Sequence, residues 1–254
     1  MRWIYMVLLL TACEYRGDEP LAKGGKSPPN FSGLADAQPY SAYAVTLTWS
    51  PANDDTTDPP AMEYDVWYTM TSGAEDTTAA PAVSVVGTTH ALVGGLAPGQ
   101  KYYFLVQAKD IDGNYDGNRV ELDATTNMPA PPARTLTTDI QPILRNSCAD
   151  TGRCHGPISM NAGMEGGMDF STAATSAAAL LGSGGSGVPA KTNPFLGRLR
   201  VKPHDSGNSF IMDKLLGILR PDDGSQMPYD NSLNPISDDD KRKIAEWIDQ
   251  GAMP

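Results

Sequence analysis

The chain has 254 residues, 40% of them hydrophobic, and a net charge of −11. The length fits one or two domains. The acidity disfavours a nucleic-acid binder that relies on a basic patch, and no apolar run approaches the roughly 20 residues a membrane-spanning helix needs. With 25 Gly and 21 Pro the chain is rich in turns, yet it lacks the three-residue period of collagen.

The charge is uneven. Residues 28–126 hold 13 acidic and 3 basic side chains, whereas residues 135–254 hold 14 and 11. This asymmetry predicts two globular units. Ahead of them, Arg2 and the short apolar run Trp3–Leu10 read as an export signal. Leu10-Thr11-Ala12-Cys13 resembles the lipobox of bacterial lipoproteins. The resemblance implies removal of residues 1–12 as a signal peptide. It also implies lipid on the Cys13 thiol and new amino group, and a place in the bacterial cell envelope, lipid-anchored and facing the periplasm or the cell surface. Several acyl chains on one residue give stable anchoring. A non-lipidated secretory signal and a misplaced start are the alternatives. Residues 13–28 are polar and read as a tether; Arg16-Gly17-Asp18 within it is the integrin-type tripeptide, short enough to recur by chance, and it lies beside the expected lipid anchor.

Strand patterns follow. Val45, Leu47 and Trp49 alternate with polar neighbours, as do Tyr64, Val66 and Tyr68 with Asp65, Trp67 and Thr69. A third run is Tyr102, Phe104, Val106 and Ala108. Short strands between turn signals predict an antiparallel β-sandwich. Thr46-Leu47-Thr48-Trp49, Tyr64–Tyr68 and Gly95-Leu96-Ala97-Pro98-Gly99-Gln100-Lys101-Tyr102 resemble a fibronectin type III domain over residues 29–126. The resemblance implies that Tyr102 pins a corner through its hydroxyl, that Trp49 fills the core, and that the domain is a spacer or a protein or glycan contact module. Asp110, Asp112, Asn114 and Asp116 alternate around Gly113. A calcium loop of EF-hand type needs flanking helices, which are missing from the pattern, so a hairpin turn is the simpler reading. His90 has no partner in the sequence and reads as a surface or packing histidine.

Residues 127–135 form a Pro-rich linker, expected to be extended. Beyond it stands Cys148-Ala-Asp-Thr-Gly-Arg-Cys154-His155. Two cysteines with His directly after the second resemble the attachment motif of c-type haem, where two thiols bind the porphyrin and the His ligates iron. The usual spacing is C-x-x-C-H; here three more residues lie between the cysteines. A Cys148–Cys154 disulfide is the alternative in an oxidising compartment, and zinc a further one. Asp139–Leu144, Cys148–His155, Met227-Pro228 and the closing Trp247-Ile248-Asp249-Gln250-Gly251-Ala252 resemble single-haem cytochrome c domains of exported bacterial proteins, over residues 136–254. Helices are predicted over about 138–147 and 171–181, with a flexible loop at 182–187. A last helix is predicted to open at Ser237, whose Asp240 follows at capping-box spacing, and to bury Ile244, Trp247 and Ile248.

The resemblance implies one covalent haem c per chain, held by Cys148 and Cys154, with His155 and Met227 as axial iron ligands. His204 or another Met is the alternative to Met227. Met160, Met164, Met168 and Met212 read as gap-filling core, with copper binding at 160–168 a minor option. The implied function is single-electron transfer to redox partner proteins of the cell envelope, without catalysis. A haem enzyme or sensor requires an open distal position. The other reading is a cell-surface interaction or adhesion lipoprotein with an accessory haem domain.

Overall fold

The computed structural model describes residues 27–149, 155–156, 168–190, 198–228 and 235–254. The expected signal peptide, Cys13, Arg16-Gly17-Asp18, most of the tether, Cys154, Met160 and Met164 lie outside the described residues.

Seven strands form first: β1 (Leu34–Pro39), β2 (Val45–Trp49), β3 (Glu63–Thr69), β4 (Val83–Val86), β5 (His90–Val93), β6 (Lys101–Lys109) and β7 (Glu121–Thr125). They pair antiparallel into a three-stranded sheet, β1-β2-β5, and a four-stranded sheet, β4-β3-β6-β7. The period-two residues of β2, β3 and β6 meet between the sheets. Leu47, Val66, Phe104 and Val106 are fully buried, and Trp49 packs its ring 5.3 Å from that of Tyr64. The Tyr102 hydroxyl accepts the Ala97 N–H at 3.0 Å, the expected corner.

Alternation predicts that Asp65 and Trp67 face outward, yet both are buried. The segments carrying Ala79 and Tyr115 cover that face. Trp67 Nε1 donates to the Ala79 carbonyl at 3.0 Å, while the Asp65 carboxylate accepts from the Ser84 hydroxyl and, at 2.5 Å, from the Tyr115 hydroxyl. Each polar group gains a partner, which is the condition for burying it. In the 110–116 turn, the Asp110 carboxylate accepts from the Asn114 N–H (2.7 Å) and Nδ2 (2.8 Å), and Asp116 accepts the Ala108 N–H (2.7 Å). Two carboxylates of the expected turn are thus engaged by protein donors. Among the described residues no three His, Cys, Asp or Glu side chains converge on a metal position.

The second region is helical. A wide π-type turn, Leu136–Ile140, runs into α1 (Gln141–Ser147); α2 spans Ala173–Leu180, α3 Phe210–Leu216 and α4 Asp238–Asp249. Local chemistry sets their ends. Thr172 and Thr175 cap the start of α2 reciprocally. Gly217, at φ 76°, ends α3 in a left-handed conformation that Gly adopts without strain. The Ser237 hydroxyl accepts the Asp240 N–H at 3.1 Å, and three aspartates in the first turn of α4 favour its positive end. Ile244, Trp247 and Ile248 are fully buried. Among the described residues no helix is long and apolar enough to cross a membrane.

The sandwich lies directly against the helical region. A Cβ on Gly207 would come within 2.5 Å of the Leu92 carbonyl oxygen and 2.8 Å of the Gly94 nitrogen, so two backbones approach where side chains cannot fit. Beside them the buried Asp249 carboxylate accepts from Gly95 N–H (3.0 Å), Ser206 N–H (2.7 Å) and the Ser206 hydroxyl (2.9 Å). The Pro-rich stretch follows this contact: Asn127 N–H donates to the Ser41 carbonyl (3.1 Å), and Arg134 pairs with Glu246 (2.6 Å).

Candidate cofactor site

A cavity of about 310 Å³ opens in the helical region. Ligand pockets usually measure about 300–1,000 Å³. Its wall is mostly apolar: Leu144, Met168, Phe170, Leu180, Phe210 and Leu215 contribute to it. Three residues with metal- or carbon-binding chemistry also line it, Cys148, His155 and Met227. Cys148 and His155 belong to one short segment, and Met227 reaches the same space only through the fold.

Cys148 caps the end of α1, its N–H donating to the Leu144 carbonyl at 2.8 Å. Gln141 and Pro142 begin that helix, where Pro costs no hydrogen bond. His155 is tied on both sides: its N–H donates to the Cys148 carbonyl (2.9 Å), and its carbonyl accepts the Phe170 N–H (2.7 Å). Its buried imidazole lies 5.0 Å, centroid to centroid, from the Phe170 ring. Gln141 Nε2 holds the Phe170 carbonyl at 2.8 Å, closing that wall onto α1.

Met227 sits on the opposite arm of the chain, before a cis Pro228. Its N–H donates to the Lys214 carbonyl of α3 at 2.9 Å. Lys214 Nζ donates to the Asp223 and Ser225 carbonyls, each at 2.7 Å, and Gln226 Nε2 to the Leu215 carbonyl at 3.1 Å. The Met227 loop is therefore laced to α3. That helix turns Phe210, Ile211, Lys214 and Leu215 to the cavity, the i, i+1, i+4, i+5 face of a helix, and buries Met212 behind it.

Two cations join the apolar wall, Arg200 and Lys214. Arg200 is buried, donates from Nη1 to the Ala179 carbonyl at 2.7 Å, and burial pushes its guanidinium pKa down from the ordinary value. Neither cation stands out in the sequence, since a lone Arg or Lys carries no motif. Met168 lines the cavity, and Met212 is core as expected; His204 does not line the cavity and packs against Gly251. Of the four expected haem-binding residues, Cys148, His155 and Met227 share the cavity, while Cys154 lies outside the described residues. Thiol, imidazole and thioether around an apolar space form a donor set suited to a covalently held, iron-containing macrocycle.

No family model matches the chain, and no curated protein matches it. Solved structures resemble part of it. The sixth fibronectin type III domain of human fibronectin type III domain containing protein 3 is 19% identical, over 44% of this chain and 96% of that one, with a TM-score of 0.34. A second structure, of a fibronectin type III domain of human fibronectin type III domain containing protein 3, is 20% identical, over 43% of this chain and 96% of that one, with a TM-score of 0.34. A β-1,2-glucanase from Parabacteroides distasonis is 18% identical over 50% of this chain and 17% of its own length, with a TM-score of 0.33. The strand order, the buried Trp49 and the Tyr102 corner stand independently of these scores. On them, the first region of the chain has a fibronectin type III-like sandwich fold.

Proposed function

We propose that the protein is a lipid-anchored, single-haem c-type cytochrome that carries one electron at a time, with the sandwich as a contact module. The observation that carries this reading is that Met227, far along the chain, shares one apolar cavity with Cys148 and His155 of a single short segment. The residues present fit the group: thiol chemistry for covalent attachment, a buried imidazole and a thioether on a mostly apolar wall. A haem supplies an iron that changes by one electron. In this reading Cys148, with Cys154, fixes the group in place. His155, braced through its backbone, and Met227, laced to α3, would hold the iron, and a Met thioether ligand would favour the reduced form. The mostly apolar wall offers few polar groups that would have to reorganise when the charge changes. Cys13 carries the anchor, and the partners are redox proteins of the cell envelope.

The test is a reduced-minus-oxidised visible spectrum of full-length protein made with haem-attachment machinery. A c-type spectrum is expected, shifted by Cys148→Ser as one thioether is lost. Protein that acquires no covalent haem would remove the electron-carrier reading, and with it the haem enzyme and sensor.

A further inference from the structure

We infer that His90, a residue of the sandwich, is a positioning residue for the Met227 side of the cavity. His90 opens β5 and lies half-buried. Its Nε2 stands 3.2 Å from the Leu216 carbonyl at the end of α3. A carbonyl only accepts, so Nε2 carries the proton, and Nδ1 takes the Thr88 hydroxyl at 3.0 Å. The Leu216 carbonyl belongs to the last turn of α3, where carbonyls have no partner within the helix. An imidazole donor from another part of the fold satisfies it.

The same helix carries the Met227 loop. The Lys214 carbonyl accepts the Met227 N–H, and the Leu215 carbonyl accepts Gln226 Nε2. Three successive carbonyls of one short helix thus hold Met227, its neighbour and the sandwich. At its other end, Asn208 Nδ2, just before α3, donates to the Ala82 carbonyl of the sandwich at 3.0 Å. Both ends of α3 are anchored on the sandwich, and the face between them lines the cavity. The sandwich acts here as the bracket that sets where Met227 stands, a role beyond that of a spacer.

The inference rests on the cofactor reading only for its effect on iron; the bracket itself is testable without haem. In the full chain, His90→Ala removes the donor, whereas His90→Gln keeps an N–H donor near the Nε2 position. Amide hydrogen exchange of Met227 and of α3 is measured in wild type and both variants. His90→Ala is expected to speed exchange at Met227 by roughly three- to tenfold, the scale of one lost hydrogen bond. Core amides of β3 and β6 should be unchanged, and His90→Gln should restore most of the protection. Equal Met227 protection in His90→Ala and wild type overturns the inference, as does global loss of protection in both variants. In haem-loaded protein, His90→Ala should weaken the spectroscopic signature of sulfur-ligated ferric iron and speed carbon monoxide binding to the reduced form, with recovery in His90→Gln. An unchanged signature overturns the link to the ligand. Wild type that binds no haem overturns the cofactor reading alone, and the exchange measurement still decides on His90.

Discussion

Met227 illustrates how much one side chain's role depends on what its backbone touches. A Met before Pro is visible in the sequence, but eleven Met residues compete for attention. The distinguishing fact is tertiary: the Met227 N–H is held by α3, and the residue faces the cavity with His155. Met212 shows the other outcome, full burial in the core. If Met227 ligates iron in the haem-loaded protein, Met227→Ala should leave water or an open position there. The iron should turn wholly or partly high-spin, the potential should fall, and carbon monoxide should bind the reduced form at least tenfold faster. Potentiometry and stopped-flow mixing read both effects. A wild-type protein that is already high-spin and insensitive to Met227→Ala would move the reading to an open-site enzyme or sensor. His90 is the opposite case: the carbonyl its ring meets, that of Leu216, lies 126 residues away, so no local pattern announces it.

At the scale of elements, α4 was the most legible. Ser237, the three aspartates and the apolar face of Ile244, Trp247 and Ile248 specify a helix from its start to its buried side. What the pattern does not tell is the environment of Asp249 at its end. There a carboxylate meets the sandwich, and burial pushes its pKa up to about 7 despite three donated hydrogen bonds, with Asp205 adding a smaller push. A carboxyl whose folded-state pKa is raised holds its proton more tightly when folded. Its contribution is therefore most favourable below the unfolded value of about 4 and is lost as pH rises toward 7. Asp249→Asn keeps an acceptor for Gly95 and Ser206 without the charge. The variant should gain on wild type by on the order of 2 kcal/mol between about pH 5 and pH 7. Urea midpoints across that range measure it; parallel curves for the two proteins would show that the carboxylate is no more buried than an ordinary one.

At the scale of the whole molecule, the composition split between residues 28–126 and 135–254 coincides with the change from strands to helices along the chain. It leaves open how closely they associate. Their contact uses backbone approach at Gly94 and Gly207, the Asp249 carboxylate, and hydrogen bonds from His90, Asn208 and Arg242 across the boundary. Arg242 Nε, for example, donates to the Tyr40 carbonyl at 3.1 Å. Gly207→Ala would place a methyl on the Leu92 carbonyl and should cost roughly 1–3 kcal/mol, the usual cost of overpacking. We expect calorimetry to show a single unfolding transition in wild type and a broadened or divided one in Gly207→Ala, as the two regions come apart. Two independent transitions already present in wild type would mean that the contact contributes little.

Local and periodic information determined a good deal. The strands of the sandwich, the Tyr102 corner and the capped α4 all depend on residues close in sequence or on a repeating pattern. Such signals survive in a linear string, because a cap or an alternating strand is made by neighbours. Tertiary structure alone decided that Asp65 and Trp67 are covered, that Arg200 and Lys214 join the cavity wall, and that the sandwich grips both ends of α3. These depend on pairs far apart along the chain. A hydrogen bond between Leu216 and His90 leaves no mark on the residues beside either one, since the energy that selects it exists only once both regions have folded and met.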